Sequence, residues 1–283
     1  MTIPSILMSK GDDLLTKCIL SIGGSDSWGG GGIATDLKSF DHFGFFGLTA
    51  ITCLAVKDEK QGFSVLPIDQ RAIEAQLKTI KEDVPLAAIK IGLLHQVETI
   101  QLVKEFCQHY QGKIPIVLDP VMAFKEGEVN YQGQYLSSLL DLISKVDLIT
   151  PNLHEAELLS GQKLGKGLDD FIHLAKTIYE KTSTPTFLKG RDHLSSTEAI
   201  DVLYSKEGAR IYRLSHLPSK TLNGAGCCLS SAATAALACP YPLEEALTLA
   251  KSFTHQAIAS GIELSKDSGN VYHPCPVPFQ NVK

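Results

Sequence analysis

Short apolar runs alternate with amphipathic stretches along most of the chain. Runs at 18–22 (CILSI), 49–56 (TAITCLAV), 63–68 (FSVLPI), 89–94 (IKIGLL), 114–121 (IPIVLDPV), 147–150 and 186–189 have the length and apolar content of strands. Two more, at 199–204 and 210–214, flank Glu207 and Gly208 and predict a hairpin or edge pair. Between the runs, apolar residues recur at helical spacing: Ile33, Leu37 and Phe40; Ile73, Leu77 and Ile80; Ile100, Val103 and Cys107; Phe171, Leu174, Ala175 and Ile178. A further apolar helix is predicted through Leu229, Ala232, Ala233, Ala236 and Leu237, while 127–133 and 161–167 read as polar loops. Near-continuous apolar strands separated by amphipathic helices predict an α/β fold. Its sheet would be doubly wound and mainly parallel, with helices on both faces and a small β edge. No linker or internal repeat divides the chain, so one domain is expected over 18–265. Residues 1–17 then form an N-terminal extension and 266–283 a C-terminal tail.

Composition narrows the chemistry. With 44% hydrophobic residues among 283, the chain can bury a large core. A net charge of -5 with scattered Lys and Arg offers no field for nucleic acid. The seven cysteines form no C-x-x-C pair, and the nine histidines show no ligand spacing, which argues against disulfides and zinc. Residues 1–17 carry Lys10, Asp12, Asp13 and Lys17 and lack the apolar core of a signal peptide. No apolar run approaches the roughly 20 residues of a membrane span. These features predict a cytoplasmic protein without a membrane partner.

In open sheets of this type, ligands bind beyond the carboxyl ends of the strands. Four such places carry unusual residues. The first is GGSDSWGGGG at 23–32, between a strand and a helix; it reads as a ligand loop or as a flexible linker, and lacks the G-K-[ST] of a Walker loop. The second is NGAGCC at 223–228. Gly224, Ala225 and Gly226 would present backbone N–H groups at a helix N-terminus, where the macrodipole favours anions. Cys227 falls in the first turn, where that field is expected to favour thiolate, and Cys228 reads as a small core residue. The third is TPNLHEAE, in which Asn152 and Glu155 stand three apart, either facing a hydrated Mg2+ or forming a helix cap. The fourth pairs Asp119 of DPVM, suited to magnesium, with Lys189 of FLKGR, suited to phosphate; taken singly, each reads equally as an ordinary charged strand end.

The ordered set GGSD, GGGGI-x-x-DLK, KIGLL, DPVM, TPNLHEAELLSG, LKG and GAGC resembles the hydroxymethylpyrimidine/phosphomethylpyrimidine kinases. Within the ribokinase-like superfamily this group includes bacterial pyridoxal kinases, and the resemblance runs from about residue 19 to 262. It implies ATP and Mg2+ as cofactors, a small heteroaromatic alcohol as substrate and a homodimer. It also implies that Gly224 to Cys227 form the anion hole, with Cys227 as the catalytic cysteine. Lys189 would contact ATP phosphates, and Asp119, Asn152 and Glu155 would hold the metal and its waters. Gly24, Asp36 and Leu93 match positions lining the substrate-ring pocket.

Departures from the pattern bear on the substrate. The pyrimidine kinases carry Gln where this chain has Lys57, and an ammonium offers donors but no acceptor for an aminopyrimidine edge. Lys57, together with GFSVLP and AIDVLY, leans toward the pyridoxal kinase branch and vitamin B6 substrates. Thiamine-pathway pyrimidines are the alternative. Phe124 stands where some pyridoxal kinases of this branch have a lid cysteine, next to a matching Lys125. Asn223 replaces a common His, and Arg191 replaces a second Gly after LKG. A ligand-binding protein without turnover is the reading from another class; intact Cys227, Lys189, Asp119 and Glu155 weigh against it. A sugar kinase is disfavoured because Cys227 stands where Asp would be expected.

Overall fold

The computed structural model describes residues 17–58, 62–122, 129–165 and 167–273. Its strands are β1 (Cys18–Asp26), β2 (Phe46–Asp58), β3 (Gly62–Pro67), β4 (Leu86–Ile91), β5 (Ile116–Leu118), β6 (Leu148–Ile149), β7 (Thr186–Leu188), β8 (Glu198–Ser205) and β9 (Gly208–Ser215). They form one sheet in the order β3-β2-β1-β4-β5-β6-β7-β8-β9. From β2 to β7 neighbouring strands run parallel, and β3, β8 and β9 pair antiparallel at the two edges. Each of the nine apolar runs therefore became a strand, and the fold is α/β and mainly parallel as its periodicity predicts.

Helices cover both faces. On one lie α2 (Gln70–Asp83), α3 (Val97–Tyr110), α4 (Val129–Ile143), α5 (Leu153–Ser160) and α6 (Leu168–Thr182); they bury Ile73, Ile100, Leu139 and Phe171 against Leu20, Ile89 and Leu118. On the other lie α1 (Gly32–His42), α7 (Ala225–Ala238) and α8 (Leu243–Ala259), whose Phe40, Ala232 and Phe253 pack on Ile19, Val117 and Phe187. Successive strand residues thus feed opposite cores, as a sheet covered on both faces requires. Among the described residues no helix is long and apolar enough to cross a membrane.

Three elements depart from the expectations. Of the polar loop expected at 127–133, residues 129–133 belong to α4 instead. That helix is driven by Tyr135, Leu139 and Leu142, buried at i, i+4 and i+7. Helix α8 carries the same signature in Ala246, Ala250, Phe253 and Ala257, all buried. After it, β10 (Ile262–Ser265) and β11 (Ser268–Asn270) form an antiparallel hairpin. The hairpin straddles residue 265, where the domain was expected to end. Its second strand returns to the start of α7: Asn223 N–H donates to Gly269 O (3.1 Å) and Val271 N–H to Asn223 O (3.0 Å).

Strand β1 pairs with β2 on one side and β4 on the other, so the winding direction changes at β1. The crevice outside the carboxyl ends of these strands is where a doubly wound sheet gathers ligand-binding residues.

Candidate active site

The glycine-rich stretch after β1 is an ordered loop rather than a linker. Asp26, the last residue of β1, accepts from Trp28 N–H through Oδ1 (2.9 Å) and from Gly30 and Gly31 N–H through Oδ2 (3.1 and 3.0 Å). A side chain at Gly32, where φ is +58°, would overlap the carbonyl of Gly24. Folding this loop back over β1 therefore needs glycine there.

The second glycine loop meets the first. Gly224 caps α7 with φ +85°, and a Cβ there would overlap Gly30 O. Ala225, Gly226 and Cys227 form the first turn of α7, so their N–H groups have no partner inside the helix. A Cβ on Gly226 would stand 3.2 Å from Lys189 Nζ, so the missing side chain is what lets that ammonium approach the helix start. Cys227 is half-buried and Cys228 fully buried. The thiolate expected at Cys227 is not favoured here. Burial pushes the thiol up to about 11, with Asp119 and Asp36 adding to the rise, against Lys90 and a hydrogen bond from Gly32 N–H.

Strands β5, β6 and β7 deliver the charged residues. Lys189 follows β7 and donates to Asp119 Oδ1 at 2.7 Å; Asp119 follows β5 and also accepts from Thr150 (3.3 Å) and Ser230 (3.3 Å). Burial would raise the Asp119 carboxyl, but Lys189 and Lys90 hold it below its ordinary value. Burial likewise opposes charge on Lys189, and Asp119 with Glu155 outweighs it, holding that ammonium above its usual value. Asn152 and Glu155 make a reciprocal capping box at the start of α5, with Glu155 N–H donating to Asn152 Oδ1 (2.9 Å) and Asn152 N–H to Glu155 Oε2 (2.8 Å). The cap reading of this pair is therefore realised in the fold. It coexists with proximity to the cluster, because burial lifts the Glu155 carboxyl to about 7 while Lys189 opposes and Asp119 reinforces the rise.

The positions matched to a substrate pocket divide. Gly24 lies against Leu93 and Cys53, since a Cβ there would stand 3.7 Å from Leu93 Cδ2 and 2.9 Å from Cys53 Sγ. Asp36 instead has no exposed surface. Its Oδ2 accepts from Ser21 (2.6 Å) and Lys90 (2.9 Å), and its Oδ1 accepts from Ser231 (2.6 Å). As placed, it organises the floor of the site rather than facing a ligand. Lys57 lies in β2 opposite Phe63, and its side chain is outside the described residues, as are Phe124 and Lys125. Arg191 adopts φ +54°, a left-handed conformation that explains why glycine suits this position, and its side chain is exposed beside Asp192 (3.5 Å).

Sequence reasoning passed over Lys90, Asp26 and Ser231. A lysine inside the apolar run IKIGLL was the available signal for the first, because a fully buried ammonium demands a partner. Among the described residues no group of three or more His, Cys, Asp or Glu stands ready to hold a metal by itself. The carboxylates of Asp119 and Glu155 are oxygen donors of the kind that binds Mg2+ together with substrate phosphates.

Comparisons with known proteins point in one direction. The family model for phosphomethylpyrimidine kinase matches residues 26–272. A hydroxymethylpyrimidine/phosphomethylpyrimidine kinase of Aquifex aeolicus is 37% identical over 250 residues, covering 87% of this chain and 96% of its own. A pyridoxine kinase of Bacillus subtilis is 37% identical over 257 residues, covering 90% of this chain and 94% of its own. A solved structure, the ADP complex of Bacillus subtilis pyridoxal kinase, superposes with a TM-score of 0.85 at 36% identity, covering 91% and 97% of the two chains.

Proposed function

The chain belongs to the phosphomethylpyrimidine kinase family, a kinase acting on a hydroxymethyl group, and from that premise we propose that it phosphorylates pyridoxine, pyridoxal or pyridoxamine with ATP. The observation that carries the phosphoryl-transfer part is the meeting of Lys189, Asp119 and the side-chain-free Gly226 at the start of α7. The Bacillus subtilis pyridoxal kinase, which superposes on this chain, holds ADP.

In this reading the hydroxymethyl oxygen forms a bond to the γ-phosphorus as the bond to the β-phosphate oxygen breaks, releasing ADP. Such transfers have a loose transition state, so the protein contributes chiefly position and charge. The N–H groups of Gly226 and Cys227 would receive the transferring phosphoryl oxygens, Ala225 N–H being turned to Leu222 O (3.1 Å), and Lys189 would neutralise their charge. Asp119 and Glu155, with Asn152 fixing the Glu155 carboxylate, would hold Mg2+. When bound, that ion offsets negative charge on the phosphates. Cys227 would take the hydroxyl proton late in the transfer. Only the thiolate can accept that proton, and burial favours the thiol even against the pull of Lys90 and of Gly32 N–H, so this role calls for turnover that rises with pH.

Vitamin B6 is favoured over thiamine-pathway pyrimidines by Lys57, which stands where the pyrimidine kinases have Gln. A nearby ammonium would stabilise the phenolate of a pyridoxal ring, whereas it cannot return the acceptor half of an amide pairing. The pyrimidine reading is supported by the Aquifex relative, as similar as the pyridoxine kinase. Magnesium-dependent turnover with pyridoxal, pyridoxine, hydroxymethylpyrimidine and its monophosphate, compared by kcat/KM, separates the two. Preference for the pyrimidines would overturn the B6 assignment, and no ATP consumption with any acceptor would overturn the kinase assignment. A homodimer is part of the same proposal, supported by the exposed apolar Phe46, Leu54 and Leu66 on β2 and β3. Sedimentation as a monomer would count against it.

A further inference from the structure

The two glycine loops touch at Gly30, and a residue from the end of the described chain holds them there. Gly30 O is fixed by Thr35 Oγ1 (2.8 Å) and abuts Gly224, which leaves no room for a side chain at 224. The Cα of Gly30 is covered by the Asn270 amide: a Cβ at Gly30 would stand 2.5 Å from Asn270 Oδ1. Asn270 Nδ2 donates to Trp28 O at 2.9 Å, bridging 242 positions of sequence. On the other side, Asn223 Nδ2 reaches Asn270 Oδ1 at 3.4 Å, and the two backbones form an isolated parallel bridge. Asn270 itself is buried, and its strand β11 is fixed beside Thr221 and Ile262 by the close packing of Gly269.

One amide therefore reads both loops. It donates to the segment that lies between Gly24 and Asp36, and it borders the segment that opens α7. We infer that Asn270 is a positioning residue, setting the acceptor-side loop 27–32 against the phosphoryl-side loop 223–226. The inference rests on the proposed kinase reading. A transferring group must meet its acceptor at near-contact distance, and a misplacement of about 1 Å costs about 10²-fold in rate. The two loops are separate chain segments, so their relative position needs a link outside both. No sequence signal marks Asn270, which sits in what reads as a polar tail.

The test uses the full chain with Asn270→Asp, which keeps the shape but places an acceptor where Trp28 O needs a donor. With whichever of pyridoxal or hydroxymethylpyrimidine the wild type accepts, kcat is expected to fall about 10²-fold at pH 7.5. The Kd for ADP, read by calorimetry, is expected to stay within twofold of the wild type, because the ammonium and helix start are untouched. The ratio of variant to wild-type kcat should rise as pH is lowered from 7.5 toward 5, since burial raises the introduced carboxyl and its protonated form again donates to the carbonyl. Asn270→Ala removes the donor without adding charge and is the second variant if the first does not fold; its loss of kcat should not recover at low pH. Wild-type kcat in both variants overturns the inference. So does a parallel loss of ADP affinity, which would make the residue a general support. A wild type inactive toward every acceptor would instead sink the kinase reading on which the inference stands.

Discussion

Lys189 Nζ lies 2.7 Å from Asp119 Oδ1, and the absent side chain of Gly226 opens the same ammonium to the first turn of α7. The pair joins the ends of β5 and β7 to the helix on the opposite face of the sheet, so one contact links three elements. It also balances charge that would otherwise be stranded, for the Asp119 side chain is 2% exposed and that of Lys189 15%. In the proposed kinase reading, an arriving phosphate would compete with the carboxylate for the ammonium and would free Asp119 oxygens for a metal.

Lys189→Met separates the two roles of this contact. Removing one partner of a buried pair typically costs about 3–5 kcal/mol, because the other charge is left uncompensated. Urea unfolding should show a loss of that order, and Asp119→Asn in the same chain should recover much of it. Activity should not follow. kcat/KM for ATP is expected to fall about 10²–10³-fold in the single variant and to stay low in the double. A stability loss reversed together with activity would mean that Lys189 serves the fold alone.

Cys227 is held as a thiol, and this sets a sign for its pH response. With burial raising the group to about 11, the thiolate fraction grows roughly tenfold per pH unit through the neutral range. Alkylation of Cys227 by iodoacetamide should therefore be slow at pH 7 and accelerate steadily toward pH 10, followed by mass spectrometry of the modified peptide. Turnover that depends on the thiolate should rise over the same range and should be lost in Cys227→Ala. A pH-independent kcat together with an active Ala variant would remove the base assignment.

Much of this site was legible before the structure, for definable reasons. Apolar runs of strand length report burial on both faces directly, so β1 to β9 followed from the pattern along the chain. Motifs at strand ends fell where a parallel sheet must expose its ligands, which placed Asp119, Lys189 and Gly226 near one another. What could not be read was the charge environment. The field of a helix start argued for a thiolate at Cys227, and the desolvation contributed by tertiary packing outweighed it. Asp36 was similarly opaque, since its partners Ser21, Lys90 and Ser231 come from three distant segments. Helix α4 was masked by Asn130 and Gly133 near its start, residues that favour turns when tertiary contacts do not override them.

His273 gives stability an acid limb. Its Nε2 lies 3.1 Å from the buried Cys228 Sγ, and its ring stacks on Phe253 at 4.5 Å between centroids. Burial, reinforced by His42 and Lys38, lowers it to about 4 from 6.5. The unfolded chain then binds more protons between those values, so stability is full above about pH 6.5 and declines as pH falls toward 4. Allowing for solvent screening, the decline is on the order of 1–2 kcal/mol. Thermal unfolding from pH 7.5 to 4.5 should show it, and His273→Gln should flatten the limb. An unchanged slope in that variant would assign the acid sensitivity to other groups.

Two glycine substitutions should behave oppositely. At Gly224, φ is +85° and a Cβ would overlap Gly30 O, so alanine there must distort the loop that opens α7. The left-handed conformation alone costs a non-glycine residue about 1–2 kcal/mol, and the overlap adds to it. At Gly133, inside α4, a Cβ meets no atom of the described residues within 4 Å. Alanine there should stabilise by about 0.5–1 kcal/mol through its better helix propensity. Differential unfolding of the two variants checks the signs, and steady-state kinetics checks the site. Gly133→Ala should retain wild-type kcat. Gly224→Ala should lose activity beyond its stability loss, because the distorted residue caps the helix whose first N–H groups would face the phosphoryl oxygens. If Gly224→Ala kept full kcat while folded, the N–H groups at the start of α7 would not be the ones that receive the phosphoryl group.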